Sequence, residues 1–327
     1  MENGLLFLFI FSLSLGLTVI ILQRIIPKFK RIAAQPIYEE GPAWHIKKNG
    51  TPTMGGIGFI IPILLSLFPL ALFLINNGDT KRKGISLLIC LVFSLSNAFI
   101  GLFDDLCKLY HKRNKGLSPL QKILLQSLSA IIFLISRRYY FNDATTLDFS
   151  FGSIDIGFLY YPLAMIILLG SINCANLTDG IDGLSSSVAL VCGIFFAFVS
   201  FSHFSELNIV AFVLIGAMLG FLLFNANPAK IFMGDTGSLF LGAFIVSLCF
   251  LVGNPLIILF IGIVYVVEGV SVILQVTVYK LRKKRVFKMA PLHHHLEKSG
   301  YSENKICVIA IIITAIFSII CPMVLRI

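Results

Sequence analysis

The chain has 327 residues, 57% of them hydrophobic and only 13% charged, with a mean hydropathy of +0.93 and a formal net charge of +10. A soluble domain carries about 25% charged residues, so this composition excludes a soluble enzyme and indicates a polytopic membrane protein. The positive charge hugs the ends of apolar runs, which points to anionic lipid headgroups and phosphorylated substrates as partners, with no nucleic acid.

Ten apolar runs are long enough to span a bilayer, at roughly 17–25 residues each: 4–23, 55–75, 84–103, 119–136, 157–173, 186–203, 207–224, 236–252, 255–279 and 306–325. The expected fold class is therefore an all-α polytopic bundle of about ten transmembrane helices, one integral membrane domain over residues 1–327. The first run lacks a basic leader and is followed by Arg24, Lys28 and Lys30, so it reads as an uncleaved anchor. With the N-terminus outside, only Lys81, Arg82, Lys83, Arg137, Arg138 and Arg326 of the 26 lysines and arginines fall outside. That asymmetry predicts extracytoplasmic termini and cytoplasmic large polar loops. The seven cysteines show no C-x-x-C spacing and read as packing residues. Among the polar stretches, 137–156 alone faces outward, and its alternation from Leu147 to Ile156 predicts a short strand and turn.

The first cytoplasmic loop ends in Lys47-Lys48-Asn-Gly-Thr-Pro-Thr-Met-Gly-Gly. Thr51 to Thr53 suit helix capping, and the lysines and glycines beside them equally suit a phosphate at a helix start. The third span closes with Asp104-Asp105, two adjacent acids at a helix C-terminus, where they oppose the macrodipole. Pairing with Lys108 or Lys112 is the structural alternative, and a divalent cation, the favoured reading, would turn that liability into a binding site. The basic loop from Lys108 to Gly116 reads as solvated or lipid-facing charge, with no specific role for any one member. Lys122, one turn inside the fourth span, must find an anion or snorkel.

Between the fifth and sixth spans lies Asn173-Cys-Ala-Asn-Leu-Thr-Asp-Gly-Ile-Asp-Gly-Leu. Asn173, Asn176, Asp179 and Asp182 recur every third residue, so on a helix adjacent members sit about 60° apart and share a face. Gly180 and Gly183 permit close approach of backbone or ligand. The seventh span runs out at Asn225, and Lys230-Ile-Phe-Met-Gly-Asp235 opens the eighth. Asp104, Asp105, Asp179, Asp182 and Asp235 thus fall at the cytoplasmic ends of different spans. Glu268 and Gln275, seven residues apart, share one face of the apolar ninth span, and an acid that deep is a functional candidate. His293, His294 and His295 diverge too much for a tetrahedral metal cage and better suit donors to a phosphate or leaving group.

Carboxylates without thiolates, with lysines and glycines beside them, describe a Mg²⁺–phosphate site, where catalysis is mostly positioning and charge neutralisation. At the cytoplasmic face of a helix bundle, such a site would join a nucleotide-activated donor to a lipid phosphate. Five motifs in order carry a resemblance: Thr51-Pro-Thr-Met-Gly-Gly, Asp104-Asp105, Asn176-Leu-Thr-Asp-Gly-Ile-Asp-Gly-Leu, Phe232-Met-Gly-Asp-Thr-Gly-Ser and Pro291-Leu-His-His-His-Leu-Glu. The chain resembles the phospho-N-acetylmuramoyl-pentapeptide transferase family (MraY, translocase I), within the polyprenyl-phosphate sugar-1-phosphate transferases.

The resemblance implies transfer of phospho-MurNAc-pentapeptide from UDP-MurNAc-pentapeptide to undecaprenyl phosphate, giving lipid I and UMP in peptidoglycan synthesis. It implies Mg²⁺, a homodimer, and a multi-pass protein of the bacterial cytoplasmic membrane with a cytoplasm-facing site. By the same likeness Asp235 is the principal Mg²⁺ ligand with Asp104 and Asp105 beside it. Asp104 is then the base acting on the lipid phosphate, or Asp235 a nucleophile. Asn176, Asp179, Asp182, Asn225, Phe232 and Gln275 match positions lining a nucleoside pocket, with Phe232 suited to stacking on uracil. Lys48, Lys122, His293, His294 and His295 match positions tied to phosphates or substrate, and the ninth span is expected to be broken. The alternatives are an N-acetylhexosamine-1-phosphate transferase, against which the Pro-Leu-His-His-His-x-Glu loop argues, and an ion-coupled transporter, which would carry its acids at the midplane.

Overall fold

The computed structural model describes residues 2–32, 48, 50–111, 116–141, 145–200 and 205–327. Lys47, Lys112, Arg113 and Lys115, part of the charge asymmetry, lie outside the described residues. In chain order the elements are α1 (Glu2–Ile32), α2 (Ile57–Asn76), α3 (Lys81–His111), α4 (Pro119–Phe141), β1 (Thr146–Phe149), β2 (Gly152–Asp155), α5 (Tyr160–Thr178) and α6 (Leu184–Ser200). They continue with α7 (Ser205–Asn225), α8 (Gly234–Val252), α9 (Ile258–Ile261), α10 (Ile263–Arg282), α11 (Leu292–Glu297) and α12 (Glu303–Val324). Among the described residues, nine helices are long and apolar enough to cross a membrane, and α6, apolar with 17 residues, completes the ten expected. The protein is an all-α multi-pass membrane protein. Its ninth span is broken, at Gly262 between α9 and α10.

The bundle is organised around α8, whose most apolar window is 83% buried. It packs on α3, α5, α2 and α6. Its approach to α5 is close enough that a Cβ on Gly242 would stand 2.7 Å from the Ile172 Cα. Aromatic side chains fill the wider gaps, with Phe133 edge-on to Phe250 at 5.5 Å and Phe59 edge-on to Phe221 at 5.0 Å. Lipid tails are as apolar as leucine, so helices associate in a membrane through close packing and hydrogen bonds. The α1–α7 pair shows this directly. Gly216 and Gly220 lie one turn apart against Phe11 and Leu15 backbone, and Ser14 Oγ donates to the Val213 carbonyl at 2.8 Å.

One end of the bundle is closed by the predicted strand and turn. Strands β1 and β2 pair antiparallel, Thr146 opposite Asp155 and Phe149 opposite Gly152. The chain's C-terminal residues seat them, with Ser150 N–H donating to the Val324 carbonyl at 2.9 Å. Asn254, just after α8, donates to the Asp148 carbonyl at 2.6 Å. The acidic motifs gather at the other end, where α3 finishes and α8 begins.

Candidate active site

Two helices packed side by side, the end of α3 against the start of α8, build the centre. Asp104 and Asp105, on the last turns of α3, face the first turn of α8, which carries Asp235. Gly101 makes the meeting possible: a Cβ there would stand 2.2 Å from the Asp235 carbonyl oxygen. Gly234 adopts φ +73°, a left-handed conformation open to glycine at little strain, and so turns the chain into α8 beside Asp105.

The three carboxylates are not equivalent. Asp105, 1% exposed, spends its oxygens on α8: Oδ1 accepts from Asp235 N–H at 3.2 Å, and Oδ2 accepts from Thr236 N–H at 2.9 Å and Thr236 Oγ1–H at 2.6 Å. A helix N-terminus presents unsatisfied N–H groups and partial positive charge, so Asp105 serves as its counter-charge. Asp104 and Asp235 instead face two ammonium groups. Lys108 Nζ lies 2.7 Å from Asp104 Oδ2 and 3.3 Å from Asp235 Oδ2. Lys122 Nζ lies 3.0 Å from Asp104 Oδ1 and 2.6 Å from Asp235 Oδ2. Leu117 N–H also donates to Asp104 Oδ1 at 2.7 Å, where Gly116 leaves room for the carboxylate. Asn176, on the last turn of α5, donates to Asp235 Oδ1 at 3.1 Å and to Ser238 Oγ at 2.7 Å.

Three carboxylates against two ammoniums leave one negative charge. Ligand oxygens of Asp104, Asp105 and Asp235 lie within 4.8 Å of one another, so the group could hold a metal ion. The all-oxygen donor set suits a hard cation. A dication there would leave one net positive charge, which suits phosphate.

A second polar group lies beside the first. The helical spacing of Asn173 to Asp182 does not continue through the motif: α5 stops at Thr178, and Asp179 and Asp182 stand in the turn before α6. Asp182, 3% exposed, is fully engaged. Its Oδ1 accepts from Lys48 Nζ at 2.6 Å, and its Oδ2 from Asn227 Nδ2 at 3.1 Å and Ala229 N–H at 2.9 Å. Glu303, at the start of α12, completes the knot by accepting from Lys48 Nζ at 2.8 Å and Asp182 N–H at 2.9 Å. Asp179 is half-buried. Its desolvation, and then the charges of Asp235, Asp105 and Asp182, push its carboxyl well above the usual carboxylate range, against the pull of Lys48.

The remaining motifs hold the walls in register. Thr51 to Thr53 cap nothing: α2 begins after Gly56 without a side-chain cap. Their stretch docks on the α7–α8 connection, where Phe232 N–H donates to the Pro52 carbonyl and Gly55 N–H to the Phe232 carbonyl, both at 2.8 Å. Phe232 is half-buried, and Asn225 donates to the Ile231 carbonyl at 3.0 Å while accepting from Ser186 Oγ at 2.8 Å. Gln275 Oε1 accepts from the backbone of Val286 and Phe287 at 3.0 and 2.9 Å, which ties the α10–α11 connection back onto α10. The histidines are held separately: His293 by Glu268, His294 Nδ1 by Glu297 at 2.6 Å, and His295 Nδ1 by Lys288 N–H at 3.0 Å.

The structure therefore brings Asp104, Asp105, Lys122, Asn176 and Asp235 into one contact group, and Lys48 and Asp182 into the next. It also corrects the reading of Lys108 as solvated or lipid-facing charge: Lys108 belongs to the centre, in the pairing with Asp104 that was the structural alternative. The signal was present, since Lys108 stands four residues after Asp104 on a helix, the spacing of a paired acid and base. Glu303 carried no comparable signal, because its partner Asp182 is 121 residues away.

A multi-pass helical bundle with a carboxylate–lysine centre where spans end suits a membrane-embedded phospho-sugar transferase, and residues 87–253 match the model for glycosyl transferase family 4. The chain is 42% identical over 300 residues to a phospho-N-acetylmuramoyl-pentapeptide-transferase of Clostridium perfringens, covering 90% of each chain. It is 41% identical over 325 residues to one of Clostridium botulinum, covering 97% of this chain and 94% of the relative. With one of Halalkalibacterium halodurans it shares 40% over 299 residues, covering 90% of each. The chain belongs to the phospho-N-acetylmuramoyl-pentapeptide transferase family.

Proposed function

We propose that this protein transfers phospho-MurNAc-pentapeptide from UDP-MurNAc-pentapeptide to undecaprenyl phosphate, releasing UMP and forming lipid I. The observation that carries this reading is the meeting of α3 and α8, where Asp104 and Asp235 share Lys108 and Lys122, in a chain of that family. An oxygen of the lipid phosphate attacks the sugar-linked phosphorus, and the bond from that phosphorus to the UMP oxygen breaks. In this reading Asp104 takes the proton of the lipid phosphate, the alternative being Asp235 as nucleophile, and Lys108 and Lys122 hold phosphate oxygens once drawn off the carboxylates.

Asp235 and Asp104, with Asp105 beside them, would hold Mg²⁺, which supplies neutralisation of phosphate charge when bound. Asp105 is the least available of the three, since α8 already takes both its oxygens. Asn176, Asp179, Asp182, Asn225, Phe232 and Gln275 form the nucleoside side in this reading, and Lys48 with the three histidines the phosphate and sugar side. In this reading the aspartate end faces the cytoplasm of a bacterial cell, an orientation supported by the lysine and arginine asymmetry. The family likeness adds a homodimer.

The test is UMP release by detergent-purified protein given undecaprenyl phosphate and either UDP-MurNAc-pentapeptide or UDP-GlcNAc, with Mg²⁺ titrated from zero. Turnover of the first donor alone, dependent on Mg²⁺, is expected. Turnover of UDP-GlcNAc alone would replace this reading with the N-acetylhexosamine-1-phosphate transferase. Absence of UMP from either donor would end both.

A further inference from the structure

Glu268 is buried on α10 at 4% exposure, and His293, at the start of α11, is fully buried. The Glu268 carboxylate accepts the His293 backbone N–H through both oxygens, at 3.1 and 3.2 Å, and its Oε2 lies 3.2 Å from the ring Nδ1. Neither ring nitrogen makes a hydrogen bond, the Nδ1 approach to Oε2 being a contact of charge and distance, and on the far side of the ring stands Nε2. It faces the turn carrying Asp179 and Asp182, and the approach is so close that a Cβ on Gly180 would stand 2.2 Å from it.

We propose that Glu268 is a positioning residue that fixes His293 as its Nδ1–H tautomer, so that Nε2 is an acceptor facing the Asp179–Gly180 turn. Three protonation patterns are open to the ring, and the surroundings separate them. A bare Nδ1 lone pair 3.2 Å from a carboxylate oxygen is repelled, which disfavours the Nε2–H tautomer. A doubly protonated ring would bury an Nε2–H donor with no acceptor, the costlier kind of unpaired group. The Nδ1–H tautomer avoids both. It turns an N–H rather than a lone pair toward the carboxylate and leaves Nε2 as an unfilled acceptor. His293 then turns a buried lone pair toward the Asp179–Gly180 turn and bears on the site through that turn.

The test has a spectroscopic arm and a kinetic arm. In ¹⁵N-histidine-labelled protein, with the His293 signals assigned by their loss in His293→Ala, the ligand-free wild type is expected to show a protonated Nδ1 and a bare Nε2. An Nε2–H tautomer or an imidazolium overturns the proposal, whatever the variants do. Glu268→Gln keeps an oxygen for the His293 N–H and turns its amide N–H₂ toward Nδ1, which inverts the tautomer. Its kcat should fall about tenfold or more with KM little changed. Glu268→Asp should recover part of the loss, and Glu268→Gln should add nothing in a His293→Ala background. Wild-type turnover in Glu268→Gln overturns the proposal. The kinetic arm rests on the transferase reading: a wild type that forms no UMP removes that reading and leaves the spectrum to decide this one.

Discussion

Asp105→Asn separates an anchor from a metal ligand. The carboxylate holds the α8 N-terminus through contacts of 3.2, 2.9 and 2.6 Å. Asparagine has one acceptor oxygen. Placed toward Thr236, that oxygen keeps two bonds in neutral form, and the amide N–H₂ then faces the Asp235 N–H, donor against donor. Leaving one buried donor unpaired costs about 1–3 kcal/mol, and losing charge at a helix N-terminus adds about 0.3–2 kcal/mol. Relief of the buried charge's own desolvation offsets part of this. The expected loss is about 2–3 kcal/mol, present in EDTA as well as with Mg²⁺.

Were Asp105 only one of three clustered ligands, removing its charge without metal would relieve repulsion and raise the melting temperature. The two accounts therefore predict opposite signs. Thermal unfolding of detergent-purified wild type and Asp105→Asn in EDTA reads the sign directly. An equal or higher melting temperature for the variant would refute the anchoring role.

Asp235→Ala is expected to abolish Mg²⁺-dependent UMP release while leaving the protein folded, checked by size-exclusion profile and turnover together, because the residue sits on a helix end rather than in the bundle core. Phe232→Ala should weaken nucleotide binding by about 1–3 kcal/mol, the scale of a lost base stack, as measured by calorimetry with UMP. Asp179→Asn should stabilise the protein in EDTA with a pH dependence. The raised carboxyl means that the folded state resists ionisation, so wild type loses stability as pH rises past the unfolded value of about 4. The variant's melting temperature should match wild type near pH 4 and exceed it increasingly toward neutral pH.

Helix number and chemistry were legible because each rests on a local signal. Apolar length finds the spans, and an acid at a membrane edge is conspicuous anywhere. Positions of Asp104, Asp235 and Asn176 at span ends were enough to expect a shared site, and the contacts agree. What stayed hidden depends on pairs distant in sequence. Nothing near Glu303 announces Lys48 or Asp182, and nothing in Thr51-Pro-Thr-Met-Gly-Gly announces that its backbone docks on Phe232. Capping is what those residue types do on average, and tertiary pairing overrode the average. The third-residue spacing of the Asn–Asp motif misled differently: a period was visible, but α5 ends at Thr178 and the last two members belong to a turn.

The seating of α8 limits how this end of the molecule can change. Substitution at Gly101 or Gly237 drives a side chain into main chain 2.2 or 2.8 Å away, so no bulkier residue enters without moving the first turn of α8. An inhibitor bound over Asp235 would rest on this buried glycine support and meet few mutational escapes. The α10–α11 flank, tied down by side chains such as Gln275, is where resistance should first arise.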